Sequence, residues 1–213
     1  MTALTIDIAS LAELLAARAE GGGRVVAALA GAPGSGKSTV AERLAEVLNA
    51  RAPDMAAVLP MDGYHYDDLH LVPAGLRPRK GAPETFDVGG LHHTLLRLRA
   101  RDEAFVAVPV FDRDIEIARA GARMIAAEVP IIIAEGNYLL LGQEPWSRLR
   151  PLFDVAVLVD VPEAVLRDRL TARWTHYNLT PEEIAWKLEG NDLPNGRFVM
   201  AESRDADFRL PNG

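Results

Sequence analysis

"GAPGSGKST", Gly31 to Thr39, satisfies the pattern G-x-x-x-x-G-K-[ST] at every fixed position. With 17 glycines and only 3 lysines in 213 residues, a chance match anywhere in the chain has a frequency of roughly one in a thousand. Its surroundings fit as well. The apolar run RVVAALA (24–30) reads as a strand before it, and STVAERLAEVLNARA (38–52) has helical spacing after it. Glycines let backbone N–H groups converge on phosphate oxygens. The following helix turns its unpaired N–H groups and positive dipole end toward the same anion. The stretch therefore predicts a phosphate loop over Gly31, Ala32, Pro33, Gly34, Ser35, Gly36, Lys37, Ser38 and Thr39. Lys37 is expected to reach the β- and γ-phosphates of ATP, and Ser38 to ligate Mg²⁺.

Working outward, apolar runs alternate with helical patterns. Residues 55–61, 104–111, 129–136 and 154–161 read as further buried strands of a parallel sheet covered on both faces. Residues 89–100 and 162–174 have helical spacing. Thr180, Pro181 and Glu183 supply an N-cap, a first-turn proline and a capping-box glutamate. Ser10 with Glu13 reads as a capping box opening an amphipathic N-terminal helix rather than a leader peptide. DADFRL (205–210) reads as a last strand. The alternation predicts one α/β domain over 1–213 with a phosphate-loop NTPase fold, its doubly wound, mostly parallel sheet flanked by helices. The Gly- and Pro-rich stretch 62–88 follows a strand and reads as a binding loop. The polar stretch 189–199 reads as a surface loop.

Composition excludes several functions. There are no cysteines, hence no disulfide, thiolate metal site or cysteine nucleophile. The net charge of −7 comes without any basic run, so neither nucleic acid nor membrane is an expected partner. No stretch approaches the ~18 uncharged apolar residues of a membrane span, and a cytoplasmic location is expected. Oligomeric state has no signature in the sequence. A GTPase would need an Asn-Lys-x-Asp reader, and lysines stand only at 37, 80 and 187. The transporter signature Leu-Ser-Gly-Gly is absent too. Transfer to a hydroxyl of a small bound metabolite is the economical reading, and it needs a base. Ligands of open α/β sheets sit beyond the C-terminal strand ends. Asp62 and Glu135 both stand at such ends, where two carboxylates would hold Mg²⁺ and accept a proton. A lone strand-end aspartate is as often a turn or N-cap. The neighbouring "YHYDDLH" (64–70) lacks the i, i+4 histidine pair of a helical zinc motif and is expected to be loop surface.

These segments together resemble the uridine kinase, phosphoribulokinase and bacterial pantothenate kinase family. The residues are GAPGSGKST, MDGYH (61–65), RKGAPETFD (79–87), VPVFDRD (108–114) and IIIAEGNYLL (131–140). The chain is most similar to a bacterial subgroup named as nucleoside/nucleotide kinase-like, some members being named fructose transport system kinases. The resemblance implies that Asp62 is the general base and that Glu135 supports the metal. It places Tyr64, His65, Phe111 and Asp112 at the acceptor pocket, with Arg79 and Lys80 at its mouth. Phe111 replaces a tyrosine often found there. It also implies a helical lid over about 163–180, whose Arg169 and Arg173, four residues apart on one face, close over the ATP phosphates. The alternative is a solvated face paired with Glu163 and Asp168. Asn195 is implied near the adenine, although turn residues are usually just turns. A sugar acceptor follows from the subgroup's naming. A nucleoside, a phosphosugar or a pantothenate-like acid fits the same machinery, and Arg77, Arg79 and Lys80 permit an anionic one. The reading from another class is an ATP-binding regulatory module with little or no kinase activity.

Overall fold

The computed structural model describes residues 3–213. Six parallel strands form the central sheet: β1 (Leu4–Thr5), β2 (Val25–Gly31), β3 (Ala56–Pro60), β6 (Ile131–Gly136), β7 (Val155–Asp160) and β8 (Phe208–Pro211), in the spatial order β1-β8-β7-β2-β6-β3. Residues 3, 4 and 5 precede any run long enough to read as a strand, so β1 was not expected.

β2 explains why both sheet faces must be covered. Val26, Ala28 and Ala30 enter one core, while Val25, Ala27 and Leu29 enter the other. Helices α1 (Ile8–Ala19) and α2 (Lys37–Asn49) cover the second face through Leu11, Leu15, Leu44 and Leu48. Helix α4 (Val88–Ala100) covers the first through Leu91, Leu95 and Leu98. The cap of α1 corrects the expectation. Asp7 is the N-cap, accepting the Ser10 N–H at 2.7 Å, so Ser10 already lies in the first turn. The chain leaves extended geometry one residue before the helix begins, and Asp7 is the side chain placed to receive that amide.

Two further expectations are corrected. The run 104–111 is not in the main sheet. Strand β4 (Phe105–Asp112) pairs antiparallel with β5 (Ile117–Ala126) as a separate hairpin. Only one face of this hairpin is buried, through Val106, Val108 and Ile125, whereas Phe105 and Met124 are exposed. The stretch 189–199 is helical rather than a loop. The chain passes from α6 (Pro181–Lys187) through a wide π-turn at Leu188–Asp192 into α7 (Leu193–Glu202). Leu188 and Leu193 bury against helix α5 (Glu163–His176), and Gly196 lets α7 approach Ala32 closely. Packing overrides the turn-forming composition. The Thr180–Glu183 capping box is present as expected.

Candidate active site

Sheet register assembles the site. Glu135 on β6 lies opposite Leu29 of β2 on one side and Pro60 of β3 on the other. The phosphate loop therefore starts two residues beyond Glu135's level, and Asp62 follows two residues after Pro60. The backbone is left-handed at Gly34 (φ 79°) and Gly36 (φ 78°), which glycine adopts without strain. No side chain caps the N-terminus of α2, so its amides stay free for an anion. Ser38 Oγ donates to Glu135 Oε2 at 3.0 Å. Lys37 is buried and has no carboxylate partner within 4 Å among the described residues. Burial pulls its ammonium below the ordinary lysine range, against the pull of Glu135 and Asp62. Burial pushes Glu135 up, and the charge of Asp62 adds to this. For Asp62 burial acts upward too, but His65, Arg113 and Lys37 outweigh it and hold the carboxyl below its usual range.

An uncapped helix end, a buried unpaired lysine and a buried Ser35 hydroxyl without a partner are what a polyphosphate would satisfy. Ser38, Glu135 and Asp62 supply hard oxygen donors of the kind Mg²⁺ takes. These residues fit ATP and Mg²⁺. From α5, Arg173 lines the same cleft, again without a carboxylate partner among the described residues. The cleft holds about 190 Å³ and adjoins a cavity of about 490 Å³ between the hairpin tip and helices α5 and α6.

No family model matches the chain. Among individual proteins, the uncharacterized protein YggC of Escherichia coli K12 is 36% identical over 187 residues, covering 87% of this chain and 76% of YggC. A Schizosaccharomyces pombe protein named provisionally as a uridine kinase is 36% identical over 195 residues, covering 88% of this chain and 83% of its own. The crystal structure of a provisionally named fructose transport system kinase from Silicibacter sp. TM1040 superposes with a TM-score of 0.88 at 40% identity, covering 97% and 100% of the two chains. The chain belongs to the uridine kinase and pantothenate kinase family of phosphate-loop kinases.

In this phosphate-loop kinase the cleft gathers Gly34, Gly36, Lys37, Ser38, Thr39, Asp62, His65, Lys80, Phe111, Arg173 and Asn195 from the expected set. Glu135 meets it through Ser38. Asn195, buried on α7, donates to Asn191 at 3.0 Å. Four expectations are corrected. Tyr64 is not a pocket wall; it is packed in the core, where burial pushes its hydroxyl up to about 12. The 3-10 turn at Met61–Tyr64 points its ring inward, leaving His65, in tilted ring contact with Phe86 and Phe111, to face the cleft. Arg79 turns away to pair with Glu84 on another cavity's rim. Asp112 pairs with Arg119 across the hairpin at 2.7 Å, outside the cleft. Arg169 lies under the phosphate loop, 3.4 Å from the Ser35 carbonyl, instead of lining the cleft with Arg173. Neither lid arginine pairs with Glu163 or Asp168; Glu163 binds Arg197.

Other residues of the site were not anticipated. Arg113, at the hairpin tip, donates to the Asp62 carboxylate. Asn212, beyond β8, donates to the Ser35 carbonyl at 2.8 Å and braces the phosphate loop. Asn137 lines the cleft with an unpartnered, buried Oδ1. Tyr138 donates to the Gly81 carbonyl at 2.7 Å, tethering the 62–88 loop to the end of β6. Trp174 is fixed on α5 by Asp192 and by Lys187 lying over its ring. Only the signal for Asn137 and Tyr138 was local, since both directly follow Glu135-Gly136. Asp67 caps the short helix α3 (Asp68–Leu71), and Asp68 binds Arg77 and Lys80, each at 2.7 Å.

Proposed function

We propose that this kinase transfers the γ-phosphoryl group of ATP to a hydroxyl of a small, neutral, hydroxyl-rich metabolite, with a sugar as the first class to test and a nucleoside as the second. The observation that carries the reading is the opening of the uncapped phosphate loop and the Asp62 carboxylate into one cleft. Lys37 and Arg173 stabilise charge spreading over the transferring group. Asp62 orients the acceptor hydroxyl and takes its proton. Ser38, Glu135 and Asp62 are the residues that would hold Mg²⁺, which when bound screens the charge between phosphate oxygens.

Charge pairing supports a neutral acceptor. On the acceptor side each cation has its carboxylate: Arg77 binds Asp68 and Glu116, Lys80 binds Asp68, and Arg113 binds Asp62. Cleft cations without such a partner among the described residues stand on the phosphate-loop and lid side, as Lys37, Arg173 and Lys187. An anionic acceptor would have to break one of those pairs or reach across to Arg173 and Lys187, which also line the adjoining cavity. The free Asn137 Oδ1 suits a hydroxyl donor, and the adjoining cavity gives the acceptor body room.

The test is coupled ADP release with MgATP against a panel of hexoses, pentoses, nucleosides, phosphosugars and pantothenate. Turnover that depends on a neutral polyol supports the proposal. Dependence on an acid or phosphosugar overturns the neutral class, and tight ATP binding with silence across the panel favours the regulatory module. Asp62→Asn should lower kcat by ~10²–10⁴-fold with ATP affinity retained; equal losses of both remove Asp62 from the base role.

A further inference from the structure

We propose that Arg113 gates the base: without acceptor its guanidinium covers the Asp62 carboxylate, and the incoming hydroxyl displaces it. This rests on the kinase reading above and deepens it by naming a residue that controls when the base is available.

The geometry assigns this role at several points. Arg113 makes the one side-chain hydrogen bond that the Asp62 carboxylate has among the described residues. The two residues come from different bodies, Asp62 from the exit of edge strand β3 and Arg113 from the tip of the hairpin outside the main sheet. Side-chain exposure is 48% for Arg113 and 16% for Asp62, so the guanidinium has solvent to swing into and the carboxylate does not. The rest of the tip is pinned. Asp112 is held by Arg119, and Glu116 by Arg77 at 2.8 Å, with the Glu116 carbonyl held by Lys80 at 2.7 Å. Arg113 can therefore leave without unfolding the turn. A second guanidinium, Arg173, faces the same space and opposes its staying. The Phe111 ring, 5.9 Å from the Arg113 guanidinium carbon, offers it another contact.

The gate has a chemical purpose. An uncovered Asp62 beside bound ATP would activate water as readily as an acceptor. Water oxygen would bond to the γ-phosphorus, the bond to the β–γ bridging oxygen would break, ADP would leave, and the water proton would pass to Asp62. An acceptor anchored in the adjoining cavity brings binding energy to the exchange that a water molecule lacks.

The experiment uses the full chain with MgATP and no acceptor. Arg113→Ala should release ADP about 10-fold faster than wild type, a part of the range a positioned base provides. The double variant Arg113→Ala/Asp62→Asn should lose that gain, and ATP affinity of Arg113→Ala, measured by calorimetry, should match wild type. Arg113→Lys keeps the charge but not the planar fork, and should give an intermediate rate if the alanine variant does not fold. Unchanged or slower ADP release in the folded variants overturns the gate. So does a gain that survives loss of Asp62, or a fall in ATP affinity, which would place Arg113 on the phosphates. Metabolite-dependent turnover in wild type without a gain in Arg113→Ala removes the gate alone. Loss of the kinase reading would show instead in the acceptor panel.

Discussion

At the residue scale the site stores unfavourable electrostatics. Lys37 is a buried cation with no direct carboxylate partner, and burial pulls its ammonium toward the neutral form. Replacing an uncompensated buried charge with an apolar side chain of similar length commonly stabilises a protein. Lys37→Met is therefore expected to abolish ATP turnover while raising the Tm of the ligand-free protein by about 2–4 °C. Calorimetric melting without nucleotide checks this, and a lower Tm would mean that Glu135 and Asp62 already compensate Lys37 fully. The phosphate-loop residues were legible from composition and spacing because their chemistry is local. Arg113 was not, because one arginine at a hairpin tip carries no periodicity, and its partner lies 51 positions away.

At the element scale the β4–β5 hairpin carries Phe111 and Arg113 to the cleft. It packs on the turn after β3 so closely that a Cβ on Gly63 would lie 2.4 Å from the Pro109 carbonyl oxygen. That contact is backbone against backbone and has no cheap relief. Gly63→Ala should shift the hairpin with Phe111 and Arg113, and lower acceptor kcat/KM by roughly 10–100-fold. ATP affinity should hold, since the phosphate loop is supported independently by Asn212 and Arg169. Steady-state kinetics beside nucleotide calorimetry separate the two effects; a parallel loss of ATP binding would refute the division of labour. Residues 104–111 read as a core strand because β4 is nearly all apolar. β5, with the sequence IARAGARMIA and a largely exposed face, gave no strand signal to pair with it.

At the scale of the whole molecule, one buried arginine ties the sheet to its covering elements. Arg24, 8% exposed, donates to the carbonyls of Leu98, Ala126, Ala127 and Val129. It joins the start of β2 to the end of α4 and to the hairpin's return toward β6. Arg24→Met would leave these carbonyls unpaired and should destabilise the fold by about 3 kcal/mol, read as a lower urea midpoint at unchanged slope. A change under about 0.5 kcal/mol would show that water replaces the guanidinium. In the sequence, Arg24 was only the polar edge of an apolar run. No helix of the described chain is long and apolar enough to cross a membrane. The sequence by itself determined the α/β class, the central strands, the phosphate loop and the strand-end positions of Asp62 and Glu135, because periodicity, glycine spacing and capping act over a few residues. Only the tertiary structure decided that β4 leaves the sheet, that 189–199 is helical, that Tyr64, Arg79 and Asp112 face away from the cleft, and that Arg113 meets Asp62. Those outcomes depend on which surfaces find each other across the fold, and on pairings of opposite charge that no local pattern encodes.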